Sequence, residues 1–293
     1  MVLTNIFSKV LHKIKDYGNL VMFSHTIFSL SFALISMLIA GNGHIAPETV
    51  FWILVAFMGA RTGANAINRV IDAEIDKKNP RTATRQIPQG LVKKSEAIVL
   101  SIGCFILMVV AAAMLNPLCL MLSPVALFFL VFYSYTKRFT FLCHLFLGVT
   151  TAMAPVGAWI AVTGSISWIP LFMGAANTLW VAGFDIIYGS QDYEYDVNHG
   201  LHSIPVTFGV KNALRIAGIF HLGAMIFLVF VGLLTPALGW IYYIGLGIIA
   251  ILFIIEHRMV KPEKLTHVNI ASYSINQLIS VTFLIFGVID ALI

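Results

Sequence analysis

Charge is what this chain has least of. Only 11% of its 293 residues are Asp, Glu, Lys or Arg, whereas 59% are hydrophobic, 22 are Phe and the mean hydropathy is +0.91. A water-soluble domain of this length needs a far more polar surface, so the composition excludes one and predicts an integral membrane protein. Cysteine is scarce too. Cys104, Cys119 and Cys143 lie in apolar runs without Cys-x-x-Cys or Cys/His spacing, so neither a disulfide framework nor a zinc site is expected. The opening "MVLTNIFSKVLHKIKDYGNL" is basic and amphipathic, lacks an apolar run followed by a small-residue cleavage site, and has no Arg and little Ser. Neither a signal peptide nor a transit peptide is expected from it.

What the chain has is long apolar runs. A bilayer core of ~30 Å calls for ~20 mostly apolar helical residues. Pro, Gly and polar punctuation divide the sequence into nine such runs, near 20–41, 48–70, 95–115, 117–135, 141–163, 167–188, 212–234, 236–255 and 271–293. This predicts one all-α polytopic domain over residues 1–293, with nine transmembrane helices around a central cavity. With the N-terminus inside, the outer loops are "NGHIAPE", the Asn116 turn, "GSI" and "TP", and none holds Lys or Arg. The inner side carries Lys9, Lys13, Lys15, Lys77, Lys78, Arg81, Arg85, Lys93, Lys94, Lys137, Arg138, Lys211, Arg258, Lys261 and Lys264. This one-sidedness fits the positive-inside rule with a cytoplasmic N-terminus in a plasma (inner) membrane. The net charge of +5 then reads as topology, and no nucleic-acid partner is called for.

Acids are few but gathered. The two long inner loops, near 68–94 and 185–211, with the helix ends that enter them, carry seven of the thirteen. Four spans separate the two loops, which points to two similar halves. In the first, Asn68, Asp72 and Asp76 recur every four residues, and Asn65 and Arg61 extend the series toward the membrane. A continuous helix would put them on one face and turn Glu74 away. In the second, Asp185, Asp192 and Asp196 fall at offsets of seven and four, again one face, with Glu194 off it.

Carboxylates gathered in this way repel one another unless a cation joins them. Oxygen-rich sites with few protein ligands suit Mg²⁺ bridging to substrate phosphates. Arg81 and Arg85 after the first motif, and Lys137 with Arg138 after the fourth span, fit a diphosphate guest. Clusters such as Lys93/Lys94 and Lys261/Lys264 read instead as solvated topology signals. Arg61, about 11 residues into the second span, costs ~2.5 to 3.5 kcal/mol there unless it meets a cavity or partner. It lies ~16 Å along a helix from Asp72, room for one aromatic ring between a bound diphosphate and the guanidinium. His25, Asn177 and Tyr188 are weaker candidates, placed by direction alone.

These residues resemble the UbiA superfamily of intramembrane aromatic prenyltransferases. Its first signature, Asn-x-x-x-Asp-x-x-x-Asp, stands as "NRVIDAEID", and its second, Asp-x-x-x-Asp, as "DYEYD" preceded by Asp185. "RTATRQIPQG", "YSYTKRFT" and "SIPVTFG" look like further family segments in matching order. The resemblance implies that Asn68, Asp72, Asp76, Asp192 and Asp196 hold Mg²⁺ and the diphosphate of a polyprenyl donor, with Lys137 and Arg85 on the phosphates. Arg61 matches the family's Arg for the carboxylate of 4-hydroxybenzoate. The implied reaction, at a site facing the cytoplasm, moves the prenyl group to a ring carbon of an aromatic acid in quinone biosynthesis. Members acting on 4-hydroxybenzoate often carry an Arg-Pro-Ile-Gly-like stretch in the first span, where this chain has "SHTIFSLSF", so a dihydroxynaphthoate acceptor in menaquinone synthesis stays open. A membrane phosphotransferase would need Asp-x-x-Asp-Gly-x-x-Ala-Arg, which is absent. A cation transporter would place its carboxylates near mid-membrane, whereas here they sit at helix ends.

Overall fold

The computed structural model describes residues 13–22 and 27–293, so His25 and Lys9 lie outside it. The described residues form helices and turns, with one isolated bridge between Lys261 and Lys264. In chain order the helices are α1 (Ile27–Ala40), α2 (Pro47–Ile71), α3 (Ala73–Lys78), α4 (Lys94–Leu115), α5 (Pro117–Thr136) and α6 (Cys143–Thr163). There follow α7 (Trp168–Gly189), a 3₁₀ turn (Ser190–Asp192), α8 (Tyr193–Asn198), α9 (Ile204–Leu234), α10 (Trp240–Met259), a π-helical turn (Ile270–Ile275) and α11 (Asn276–Leu292).

Local chemistry sets several of these starts. Pro47 and Pro117 open α2 and α5, where a missing N–H costs nothing. The Asn116 side chain caps α5 by accepting from the Cys119 N–H at 2.9 Å, and Ser203 caps α9 by accepting from Val206.

Among the described residues, eight helical segments are long and apolar enough to cross a bilayer. The first expected span is described only as α1, 14 residues or ~21 Å long. Two other boundaries differ from expectation. The expected 212–234 helix is preceded by helical residues from Ile204, with a break at Gly209, whose φ of 74° is left-handed. The expected 236–255 run begins instead at Trp240, because Thr235 and Leu238 close a turn through a 2.9 Å hydrogen bond.

The bundle is apolar outside and partly polar inside. On α4, Val99, Ile102 and Ile106 share one face and are 71%, 54% and 60% exposed, the arrangement expected toward lipid tails. Within the bundle, polar side chains join helices: Ser280 to Ser31 at 2.9 Å, Asn177 to Thr151 at 2.8 Å, and Ser36 to the Pro155 carbonyl at 2.6 Å. Such bonds hold helices together where burial from lipid supplies little hydrophobic drive. The aromatic core centres on Trp180, which stacks on Phe32 at 5.3 Å, and on Phe283, 4.4 Å from Phe32.

One local device occurs twice. The helix carrying each acidic motif breaks at an aspartate, Asp72 (φ −90°, ψ 3°) in the first and Asp192 (φ −93°, ψ 3°) in the second. A six-residue helix follows each break, α3 after Asp72 and α8 after Asp192. The repeat gives the two expected halves a common local geometry. The bridge-region backbone at both positions is sparsely populated and is held by the surrounding packing.

Candidate active site

The broken helices bring the two motifs face to face. Asp76, Asp192 and Asp196 are buried at 4%, 5% and 1% exposure, and they line one polar cavity together with Asp72 and Asp185. The Tyr195 hydroxyl donates to the Ile75 carbonyl at 3.0 Å and so ties α8 to α3. Although α2 ends at Ile71, the expected stripe survives the break: Arg61, Asn65, Asn68, Asp72 and Asp76 all line this cavity. Glu74 points away and pairs with Lys94 at 2.6 Å, and Glu194 is exposed.

Each of four aspartates faces one cation. Arg85 Nη1 donates to both oxygens of Asp76, at 2.7 and 2.8 Å. Arg81 forks onto Asp192, with Nε 2.8 Å from Oδ1 and Nη2 on Oδ2, and its Nη1 donates to the Tyr188 hydroxyl. Lys137 Nζ lies 2.8 Å from Asp196 Oδ2, and Arg138 Nη2 lies 2.9 Å from Asp72 Oδ1. Four positive and four negative groups thus balance at the mouth of an apolar bundle, which keeps the cost of burying them bounded.

The electrostatics follow from this pairing. Burial pushes the Asp72 carboxyl above its ordinary value, and the Arg138 guanidinium works against that rise. Burial acts to lower the Lys137 ammonium, but Asp196 beside it prevails and holds the group above its usual range. Arg81 is likewise raised: burial opposes its charge, and the hydrogen bonds to Asp192 more than compensate.

A second cavity, of roughly 530 Å³, adjoins the first and is lined mainly by apolar residues such as Ile53, Phe57, Met108 and Leu130. Arg61, Asn65, Tyr133, Leu147 and Thr151 line both cavities, so Arg61 stands where the polar chamber meets the apolar one.

The model of the UbiA prenyltransferase family matches residues 29–280, most of the chain. The chain belongs to that family. It is therefore a prenyltransferase, and its apolar helices make it a multi-pass membrane protein. The 4-hydroxybenzoate octaprenyltransferase of Vibrio campbellii is 30% identical over 254 residues, covering 85% of each chain. The enzyme of the same name from Nitrosospira multiformis is 28% identical over 257 residues, 88% of this chain and 86% of the relative. Among solved structures, the apo UbiA homologue from Aeropyrum pernix K1 matches with a TM-score of 0.82 and 31% identity, over 91% of this chain and 98% of that one. A UbiA homologue from Archaeoglobus fulgidus bound to GPP and Mg²⁺ shares the fold, with a TM-score of 0.66, 21% identity, and 95% and 100% coverage.

Two of the candidate residues stand differently from their sequence reading. Arg138 does not line the polar cavity: its donors are taken up by Asp72 and by the Ser134 and Ile71 carbonyls at 2.7 and 2.9 Å, so it clamps Asp72 from behind. Among the described residues, Asp185 pairs with no Lys or Arg. Its Oδ2 lies 2.7 Å from Nδ1 of buried His144. His144 was not among the sequence candidates, nor was Asn79, whose amide donates to Asp192 Oδ1 at 2.9 Å. His144 stands at the start of a span in no local pattern, whereas Asn79 follows directly on the first motif and could have been read from its position there.

Proposed function

We propose that this enzyme transfers a polyprenyl group from a polyprenyl diphosphate to a ring carbon of an aromatic carboxylic acid, 4-hydroxybenzoate first among them, in a Mg²⁺-dependent reaction of quinone biosynthesis. The observation that carries the reading is the junction at Arg61, with a charge-balanced polar chamber on one side and an apolar cavity on the other. That pairing suits a donor with an anionic head and a hydrocarbon tail. The names of its relatives support the same acceptor class.

The residues present fit a divalent cation. Asp72, Asp76, Asp192 and Asp196 would hold it, and Asp196 Oδ1 is a buried carboxylate oxygen with no hydrogen-bond partner among the described residues. Bound there, Mg²⁺ would neutralise charge on the departing diphosphate. Arg81, Arg85 and Lys137 already sit among these carboxylates, and their donors would serve the phosphate oxygens. Asn68 donates to Asp72 Oδ2 at 2.9 Å and fixes that carboxylate's rotation. Arg61 would take the acceptor's carboxylate and set the ring between the two chambers. Apolar walls shield the developing allylic cation from water.

The test is a product assay with purified membranes, a polyprenyl diphosphate, Mg²⁺ and a panel of aromatic acids that includes a dihydroxynaphthoate. Prenylated 4-hydroxybenzoate is expected. Product from the dihydroxynaphthoate alone would overturn the acceptor, and product from none would overturn the reaction. The same reading takes the membrane as the cell's inner, plasma membrane, with the chamber facing the cytoplasm; the Lys- and Arg-free outer loops support that orientation.

A further inference from the structure

Away from both cavities, between α7, α9, α10 and α11, lies a second polar cluster. His221, Glu256 and His257 present one nitrogen or oxygen each within 4.8 Å of one another. His221 and Glu256 are 2% and 0% exposed. His221 Nδ1 lies 2.9 Å from His257 Nε2 and 3.6 Å from Glu256 Oε2.

Neighbouring groups aim two of these three, His221 and Glu256. His221 Nε2 lies 3.3 Å from the Trp180 carbonyl, so it carries the proton there and leaves the Nδ1 lone pair pointing into the cluster. The Trp180 indole N–H donates to Asn276 Oδ1 at 2.6 Å, and Asn276 Nδ2 donates to Glu256 Oε1 at 2.7 Å. Glu256 Oε2 is then left buried with no hydrogen-bond partner among the described residues, facing the imidazoles. Gly183 on α7 makes room for the His221 ring, since a Cβ there would fall 2.3 Å from its Nε2 and Cδ2. Asn276 itself is set by the π-helical turn directly before it, a distortion frequent at functional sites.

A proton shared by the two imidazoles satisfies them but leaves the carboxylate oxygen alone, whereas a cation satisfies all three. Two of the three separations bracket the value one needs. Ligand atoms around tetrahedral zinc, with bonds of about 2.0–2.1 Å, stand about 3.3–3.4 Å apart; His221 Nδ1 lies 2.9 and 3.6 Å from its two neighbours, and all three atoms fall within 4.8 Å of one another. Outer groups that orient each ligand, as the Trp180 carbonyl and Asn276 do, are the usual companions of such a centre.

We propose that His221, Glu256 and His257 bind one transition-metal ion of the zinc class, with two imidazoles and one carboxylate as protein ligands. The site is separate from the acidic chamber and pins α9 and α10 to the helix that carries the second acidic motif. Sequence spacing could not disclose it, because His221 stands 36 residues before His257 on a different helix.

The test is Co²⁺ titration of the full-length protein in detergent, with Mg²⁺ and inorganic diphosphate in excess to occupy the acidic chamber. The wild type is expected to take up about one Co²⁺ with visible ligand-field bands of a low-coordinate centre, displaced by Zn²⁺. His221→Gln and Glu256→Gln should each lose the bands, while Asp192→Asn keeps them. Asn276→Ala leaves the three ligands in place and should weaken binding by about 10- to 100-fold. His257, only half-buried, gives a further variant, His257→Gln, in case the others fail to fold. No uptake by folded wild type, or bands that survive in His257→Gln, would overturn the proposal. Loss of the bands in Asp192→Asn would assign the ion to the acidic chamber and overturn it equally.

Discussion

Arg81 crosses from the first acidic loop to fork the carboxylate of Asp192 in the second, with Nε 2.8 Å from Oδ1. The guanidinium also lies 4.7 Å from the Tyr188 ring centroid, so its plane is held by a ring as well as by a carboxylate. A planar fork makes this grip and an ammonium cannot. Arg81→Lys should therefore raise the KM for the prenyl diphosphate roughly tenfold, the size of one lost charge-assisted contact, with a smaller effect on the acceptor KM. Equal shifts in both constants would mean that Arg81 shapes the whole chamber rather than the donor site.

The four acidic positions divide by face. Asp72→Asn and Asp192→Asn each remove a carboxylate charge from one of the two facing motifs, and turnover should fall by at least about 10²-fold. Glu74→Gln and Glu194→Gln should cost little, because Glu74 is exposed against Lys94 and Glu194 is exposed. Comparable losses at all four, with expression checked by immunoblot, would sink the assignment of faces.

Helical phase explains why that division was legible in the sequence. The helical spacing from Asn65 to Asp76, one step of three residues and then two of four, survives even though α2 ends at Ile71, because Asp72 adopts a conformation close enough to helical to keep the phase. What spacing could not disclose were contacts across the fold. Arg81 reaches Asp192 over 111 positions, and His144 reaches Asp185 over 41. Hydropathy also misjudged the 236–255 start, since Ala237 and Leu238 are apolar yet lie in a turn.

Asp72 links burial to pH. Burial raises its carboxyl and Arg138 opposes the rise, so the acid form, which cannot hold a metal ion, gains ground as pH falls. Arg138→Gln removes the opposing charge and leaves the burial. The carboxyl then titrates at a higher pH still, and the acid limb of kcat/KM at limiting Mg²⁺ should move upward. A pH–rate profile of wild type and variant checks this, and a limb that stays in place or moves down would show that Asp72 does not govern Mg²⁺ binding.

Topology has its own test. Trp168 and Trp240, each 72% exposed at the start of α7 and α10, mark one interface of the bundle, and the acidic helix ends mark the other. A reporter fused after Ile293 should read the outer side and one inserted near Lys264 the inner side. Matching signals from both would require an even number of crossings beyond Lys264 and would contradict the single span Ile270–Leu292.

Arg61 separates the two substrates. It lines both cavities, at the point where an acceptor ring would stand between the carboxylates and the apolar chamber. If it pairs with the acceptor's carboxylate, then Arg61→Ala leaves that anion buried without a counter-charge, a penalty of roughly a few kcal/mol. The acceptor KM should rise steeply. The donor KM should change little, because Asp72 lies 11 residues on, ~16 Å along the helix. Arg61→Lys keeps the charge without the two-point grip and should recover part of the loss. A phenol that lacks the carboxylate never uses the contact, so its turnover should be indifferent to either change. Should the donor constant shift as far as the acceptor constant, or the carboxylate-free phenol suffer equally, Arg61 would be an ion-pairing residue of the bundle and the acceptor would have to bind elsewhere.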